Sequence, residues 1–188
     1  DNGQPVMKAA GTKDVAHSAE ALHKVVSVPG FLMDRYEFPN REKNPDGSPV
    51  MPVGKATWQE AAEACESVGK RLCTEEEWEK ACKGPDSSIY SYGDIYDEEM
   101  CGKGVKEVHH IDQKNDRCLS GYGVADMSGN LAEWTSSQPG AKAERRVVKG
   151  GRKGNNLRGS RCAYSGDERQ NFSDSTLGFR CCLSVAEA

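Results

Sequence analysis

The stretch Gly121-Tyr-Gly-Val-Ala-Asp-Met-Ser-Gly-Asn-Leu-Ala-Glu-Trp-Thr135 contains the strongest fold signals in the chain. Glycines flank its tyrosine, and Ser128-Gly129-Asn130 is a second turn signal, so the backbone can reverse twice within a short distance. Apolar residues lie between and after these turns, and the last of them is Trp134. The pattern predicts a polar loop that folds tightly over a core, with Asp126 and Glu133 as its two carboxylates.

The composition is that of a single globular domain. The 188 residues suit one domain, which we place at 28–188, with residues 1–27 as a lead-in or linker. Only 36% of the residues are hydrophobic and the mean hydropathy is −0.73, which indicates a modest core. No apolar run reaches the roughly 18–20 residues of a membrane span. The net charge of −4, with both signs interspersed, argues against nucleic acid as a partner.

Eight cysteines are many for a chain of this length. None form a Cys-x-x-Cys pair, which argues against a zinc ribbon or a thioredoxin-type site. An even number of dispersed cysteines favours disulfides and an oxidising compartment. We therefore expect an extracytoplasmic protein, whether periplasmic, cell-surface or secreted. The cysteines are Cys65, Cys73, Cys82, Cys101, Cys118, Cys162, Cys181 and Cys182.

Two short helices and several strands are predicted around the central stretch. Thr57 and Thr74 each precede a glutamate by three residues, which is the capping box that starts a helix, and Gly69 and Gly84 end the two helices. Alternating apolar residues predict strands at 31–38, 146–149 and 177–183. The long irregular stretch 86–120 has Cys101 and Cys118 near its ends, and its histidine pair, 109–110, is interpreted as solvated loop. Residues 152–176 are polar and predict a loop.

Several short motifs, taken in order, resemble the formylglycine-generating enzyme (sulfatase-modifying factor) family over about residues 30–182. The resemblance implies an α+β, C-type-lectin-like fold with little regular secondary structure, in which two short helices pack against small antiparallel sheets. The motifs are Met33-Asp-Arg-Tyr-Glu37, Trp58-Gln-Glu-Ala-Ala62, Gly69-Lys-Arg-Leu-Cys-Thr-Glu-Glu-Glu-Trp-Glu79, Tyr90-Ser-Tyr-Gly93, Asp126-Met-Ser-Gly-Asn-Leu-Ala-Glu-Trp134, Lys149-Gly-Gly151, Arg161-Cys162 and Leu177-Gly-Phe-Arg180.

The resemblance also implies a structural calcium ion. Its ligands would be the side chains of Asp126 and Glu133 and the backbone carbonyls of Gly129 and Leu131. Oxygen ligands that converge from one loop suit Ca²⁺.

The family's disulfides correspond here to Cys65–Cys181 and Cys82–Cys162. Cys181 and Cys182 are neighbours on a predicted strand, so their side chains point to opposite faces and need different partners. This favours Cys73–Cys182 and leaves Cys101–Cys118 to close the long loop.

The chain departs from the family at the catalytic centre. There the family has two copper-binding cysteines, between the Gly-Gly turn and the later Arg-Cys, whereas residues 152–160 of this chain contain none. Asparagine and glycine cannot replace thiolates as soft ligands of Cu(I). We therefore expect no copper and assign no catalytic residue.

The sequence thus favours a non-catalytic extracytoplasmic binding or scaffolding module, for instance in a cell-surface assembly. Its partner would be a protein or a glycan that contacts the 152–176 surface. Two alternatives stay open: a metal-dependent oxidase or modifying enzyme with an altered site, and a lectin-fold receptor diversified in 152–176. The candidate contact residues are Arg158, Tyr164, Arg169 and Phe172.

Overall fold

The computed structural model describes residues 26–101, 108–111, 117–151 and 156–185, so most of the predicted lead-in, 1–27, lies outside the described residues. Regular elements are few and short. They are β1 (Phe31–Met33), α1 (Trp58–Ser67), β2 (Arg71–Leu72), α2 (Glu75–Lys83), β3 (Ala132–Trp134), β4 (Arg145–Lys149), α3 (Asn156–Gly159), β5 (Gly166–Arg169), β6 (Leu177–Phe179) and β7 (Cys181–Ser184).

The strands form two small sheets. The first has the order β1-β7-β2 and is antiparallel throughout. The second has the order β5-β4-β3-β6, in which β3 and β6 are parallel and the other pairs antiparallel. None of the described helices is long and apolar enough to cross a membrane.

The two longer helices, α1 and α2, start at the predicted capping boxes. The hydroxyl of Thr57 accepts the Glu60 backbone N–H, and the Glu60 carboxylate accepts the Thr57 N–H at 2.8 Å. Thr74 and Glu77 make the same reciprocal pair at the start of α2. Each box satisfies two N–H groups that a helix end leaves without an intrahelical partner, which is why local sequence was enough to place the two helices.

Two predicted strands are shorter than expected. The strand over 31–38 ends at Met33, because the Asn40 side chain accepts the Tyr36 N–H at 3.0 Å, donates to Asp34 at 2.9 Å and so folds the chain into a turn. The strand over 177–183 is interrupted at Arg180. Its first part, β6, joins the four-stranded sheet, and its second part, β7, joins the three-stranded one.

Four disulfides connect the elements, in the pairs that the sequence favours. Cys65–Cys181 joins α1 to β7, and Cys73–Cys182 ties the residue after β2 to the same strand. Cys82–Cys162 joins α2 to the segment after α3, and Cys101–Cys118 closes the long loop. All eight cysteines lie among the described residues and all are paired, which indicates an oxidising environment.

We predict that the contact between β6 and the loop before α1 tolerates no side chain at position 178. A Cβ on Gly178 would lie 2.6 Å from both the Val53 carbonyl oxygen and the Leu131 Cδ1 atom. Gly178→Ala should therefore lower the free energy of unfolding by about 1–3 kcal/mol in urea titrations, the usual effect of overpacking. Gly30→Ala is the matched control, because its Cβ would meet nothing closer than 3.8 Å. Equal stability of the two variants would contradict the prediction.

Candidate functional site

The central loop, residues 121–135, encloses a fully buried ion pair. Glu133 on β3 has no exposed surface. Its Oε1 accepts a hydrogen bond from Arg180 Nη2 at 2.7 Å, and its Oε2 accepts Arg180 Nε at 2.7 Å and Trp78 Nε1 at 2.8 Å. The two-pronged geometry is the strongest that a guanidinium and a carboxylate can adopt.

Arg180 uses all its remaining N–H groups on backbone oxygens. Its Nη1 donates to the carbonyls of Asp34 and Arg35, and its Nη2 also donates to the carbonyl of Ala125 at 2.9 Å. Burial alone would lower the pKa of Arg180, but the nearby carboxylates, Glu133 above all, raise that pKa above its ordinary value. The guanidinium is therefore a permanent cation in the interior.

Two further carboxyl groups, those of Glu37 and Asp126, lie in the same cluster. Glu37 is 1% exposed and accepts hydrogen bonds from Asn130 Nδ2 at 2.9 Å and from the Leu131 N–H at 3.2 Å. Burial first, and then the charges of Asp126 and Glu133, raise the pKa of Glu37 well above its ordinary value, although Arg180 and Asn130 act in the opposite direction. Three buried acids thus surround one guanidinium. Neither Glu37 nor Arg180 is among the site residues predicted from the sequence.

Two described residues of the disulfide-closed loop, Cys101 and His109, lie against this cluster. A Cβ on Gly129 would lie 2.7 Å from the Cys101 carbonyl oxygen, so only glycine allows the two backbones to approach so closely. His109 donates its backbone N–H to Asn130 Oδ1 at 2.9 Å, and its ring Nε2 lies 3.7 Å from Asp126 Oδ1. The prediction that both histidines are solvated is therefore wrong for His109, whose side chain is only 10% exposed. His110 is exposed, as predicted.

The donor set predicted for calcium consists of carboxylate and carbonyl oxygens, the type of ligand that the ion prefers. The cluster holds three carboxyl groups and one guanidinium, so ionised carboxylates would leave an excess of negative charge for a divalent cation to balance. In the described ranges no three His, Cys, Asp or Glu side chains come together as a metal site, so backbone carbonyls would have to contribute. We propose that Asp126, Glu133 and the carbonyls of Gly129 and Leu131 hold a structural Ca²⁺, with Glu133 shared between the ion and Arg180.

The four candidate contact residues fall into two groups. Arg158 is exposed on α3, and the half-buried Tyr164 lies close to Gly166 at the start of β5. Arg169 is exposed at the far end of β5, and the half-buried Phe172 packs against the main core. The prediction that 152–176 is entirely loop is wrong, because Gly166–Arg169 pairs with β4 along its whole length. The two groups lie at opposite ends of that strand.

A cluster of tyrosines adjoins α3. The Tyr90 hydroxyl donates to the Leu157 carbonyl at 3.2 Å, and the Cys162 N–H donates to the Ile89 carbonyl at 2.8 Å. The Tyr90 ring stacks on Tyr92 with 5.6 Å between centroids. The loop around residue 90 and the segment 157–162 therefore form one continuous surface.

A buried lysine anchors the segment that leads to the Gly150-Gly151 turn. The side chain of Lys149 has no exposed surface, and its Nζ donates to Glu79 at 3.0 Å and to Ser165 at 3.2 Å. Burial lowers the pKa of Lys149, although Glu79 and Glu75 act against this. The network joins α2 to β4 and to the residue before β5, so it holds the end of β4 and Ser165 against that helix.

Comparison with known proteins yields a family match and a set of structural relatives. Residues 39–185 match the sulfatase-modifying factor enzyme 1-like domain. The inactive C-alpha-formylglycine-generating enzyme 2 of Bos taurus is 32% identical over 154 residues, which are 69% of this chain and 49% of that protein. The chain thus spans about half the length of the curated relatives it matches.

The fold is C-type-lectin-like, of the formylglycine-generating-enzyme type, as the sequence predicts. Treponema denticola variable protein 1 superimposes with a TM-score of 0.64 at 18% identity, covering 82% of this chain and 84% of that one. The Major Tropism Determinant I1 variant gives a TM-score of 0.52 at 18% identity, covering 74% and 46%. At these identities the likeness shows the fold alone.

We predict that Arg180→Met destabilises the protein by about 3–5 kcal/mol, because it leaves the Glu133 carboxylate buried without its counter-ion. Lys142→Met is the control, since Lys142 is 59% exposed and its contact with Asp167 is long at 3.5 Å, so about 0–1 kcal/mol is expected. Urea unfolding measures both variants, and Glu133→Gln combined with Arg180→Met should recover part of the loss. Similar losses in Arg180→Met and Lys142→Met would contradict a central role for the pair.

The calcium proposal predicts that excess chelator lowers the melting temperature and that added Ca²⁺ restores it, because an ion bound only to the folded state stabilises that state. Asp126→Asn should weaken calcium binding in titration calorimetry. Glu66→Gln, which removes the same charge on the exposed face of α1, should not. Identical melting curves of the parent protein in chelator and in Ca²⁺ would overturn the proposal.

Proposed function

The chain belongs to the sulfatase-modifying factor family, the family of the formylglycine-generating enzymes, and within it we propose that this domain is a non-catalytic extracytoplasmic binding or scaffolding module. One observation carries the proposal: all eight cysteines are in disulfides, and residues 152–160 contain no cysteine. The resemblance implies that the family's oxygen chemistry uses a pair of thiolates as soft ligands for Cu(I). This chain has no thiol to offer.

The names of similar proteins support a role without catalysis. The Bos taurus relative is named an inactive formylglycine-generating enzyme. The same fold occurs in proteins named a variable protein and a tropism determinant. Because one fold can support many functions, these names support the proposal only together with the absence of the cysteine pair.

The disulfides support the extracytoplasmic part of the proposal. Structural disulfides form and persist in oxidising compartments and are rare in the cytosol. Here they join helices to strands and brace loops, including Cys101–Cys118 over the central loop. A periplasmic, cell-surface or secreted location suits such a framework.

The binding surface that we propose lies on the 152–176 segment, where it meets the tyrosine cluster. Two contacts hold the described residues around α3: the Tyr90 hydroxyl donates to the Leu157 carbonyl, and the Cys82–Cys162 disulfide fixes the residues after the helix. Lys149 donates to Ser165 further along the segment. Binding residues are often carried by loops on a rigid scaffold, and a surface that is already ordered loses less entropy when a partner binds. Arg158, exposed on α3, and Tyr164 are the contact residues that this geometry favours, and the partner would be a protein or a glycan.

A second candidate is a receptor whose 152–176 segment is diversified for ligand capture. The superposition with a protein named variable protein favours it. The two candidates use the same surface and differ only in whether related chains vary there and nowhere else. Sequencing of related genes from neighbouring isolates separates them.

We predict no formylglycine-generating activity. After reconstitution with Cu(I), the protein should leave a cysteine peptide of the sulfatase type unchanged, because no thiolate pair is available to hold the copper. A catalytically competent formylglycine-generating enzyme in the same assay is the positive control. Conversion of the peptide above the rate with copper alone would overturn the non-catalytic assignment.

The binding half of the proposal is tested by capture from the native envelope with Arg158→Ala and Tyr164→Ala beside the parent protein. Loss of a specific captured species in these variants, but not in Arg41→Ala, which removes an exposed arginine outside residues 152–176, is the expected result. Equal capture by all variants, with folding intact, would remove the interface from this segment.

A further inference from the structure

The most exposed apolar side chain in the described part of the chain lies in the loop after Tyr90, with tyrosines and acids close to it in the sequence. Ile95 is 79% exposed, the highest value for any large hydrophobic residue described. Tyr92 and Tyr96 lie next to it and are half-buried, whereas Asp97 and Glu98 are exposed. We call these five residues the tyrosine patch. Isolated exposed apolar residues are common, so Ile95 supports a contact surface only together with the aromatic and acidic residues of the tyrosine patch.

The tyrosine patch is rigid although it contains no helix or strand. The Tyr92 hydroxyl donates to the Asp97 carbonyl at 3.1 Å and accepts the Asp97 N–H at 3.2 Å, so the loop is closed on itself. The ring of Tyr90, 2% exposed, lies beneath, stacked on Tyr92 and tilted by 53° against Tyr96. A surface that is already ordered in this way pays little entropy when a partner binds.

The described charged groups that act on the two phenols of the tyrosine patch are acidic. Burial first, with contributions from Tyr90, Tyr96 and Asp97, raises the pKa of Tyr92 to about 12. Burial and then the charge of Glu98 raise the pKa of Tyr96 above its ordinary value. Among the described residues, the causes of both shifts include no cation; Arg117 lies against Met100 at 3.9 Å and Arg158 is exposed on α3.

We propose that the tyrosine patch binds an extended protein segment in which arginine or lysine alternates with apolar residues. The inference rests on the proposed function, since it takes the domain to be a binding module and names its partner. A guanidinium can lie over a tyrosine ring and reach a carboxylate at the same time. Tyr96 would supply the ring, and Asp97 and Glu98, which follow it in the sequence, would supply the carboxylates. The alternating apolar residue covers Ile95. A neutral glycan would stack on the rings but would leave both the acids and Ile95 unused.

The test uses two fluorescein-labelled peptides, one of alternating arginine and leucine and the other of alternating glutamate and leucine. Fluorescence polarisation should show binding of the arginine peptide only. Asp97→Asn with Glu98→Gln, and separately Ile95→Ser, should weaken that binding at least about tenfold, the usual effect of losing a contact at the centre of an interface. Melting temperatures of the variants verify that they fold.

Two control variants carry the same kinds of substitution at other places on the surface. Glu63→Gln with Glu66→Gln removes the same charge from the exposed face of α1, and Leu32→Ser removes a side chain that is 60% exposed on β1. Both should bind the arginine peptide as the parent does. Equal weakening by the α1 pair would show attraction to the overall charge of −4 and overturn the proposal. So would unchanged binding by the tyrosine patch variants.

Two other results would indicate a different ligand at the tyrosine patch. Binding of a neutral oligosaccharide that Tyr96→Ala abolishes, without arginine-peptide binding, would assign the tyrosine patch to a glycan. A dimer in sedimentation that Ile95→Ser dissociates would assign it to a second copy of the chain. Either result overturns this inference, but it leaves the proposed function intact if Arg158 and Tyr164 still govern capture. Turnover of the cysteine peptide would overturn the proposed function without affecting peptide binding at the patch.

Discussion

The fold depends on the buried ion pair between Arg180 and Glu133. Arg180 stands where the chain leaves the four-stranded sheet and enters the three-stranded one, and Glu133 lies on the strand that pairs in parallel with β6. The guanidinium also donates to the carbonyls of Arg35 and Ala125. One side chain thus connects both sheets, the turn after β1 and the central loop. A buried guanidinium can connect so many elements only where each of its N–H groups has an acceptor, and all the N–H groups of Arg180 have one.

An ion pair of this kind specifies a structure more than it stabilises one. Removing two charges from water costs several kcal/mol per ion, and good geometry does little more than recover it. Leaving either partner alone in the interior is far more expensive, so packings that separate Glu133 from Arg180 are excluded. The chain has short strands and a modest core, and apolar burial alone would leave several packings close in energy. The ion pair, together with the disulfides, removes that ambiguity.

Local chemistry made part of this structure predictable. The capping boxes at Thr57 and Thr74 are complete within four residues, and the central loop carries its own turn signals. The role of Arg180 was not predictable in the same way, because its partner, Glu133, lies 47 residues away. The pattern of residues 177–183 also predicts one continuous strand, with no sign of the break at Arg180. β5 was also not predicted, because its residues are polar and carry no apolar pattern. It is a strand because it pairs with β4, which its own sequence does not indicate. The role of Glu37 likewise depends on Asn130, 93 residues further along the chain.

A fold held in this way could lose a copper-binding thiolate pair, as we propose for this chain, and keep its structure. A thiolate pair that binds copper contributes to the reaction, and the fold need not depend on it. The scaffold here is held by contacts outside residues 152–160: the Arg180–Glu133 pair, the Lys149 network and the Cys82–Cys162 disulfide. Changes within that interval would therefore cost the fold little. The Tyr90 hydroxyl joins α3 to the loop around residue 90, so two segments distant in sequence lie together. Exposed residues such as Arg158 would then be held in place by contacts outside their own segment, which suits the binding role that we propose.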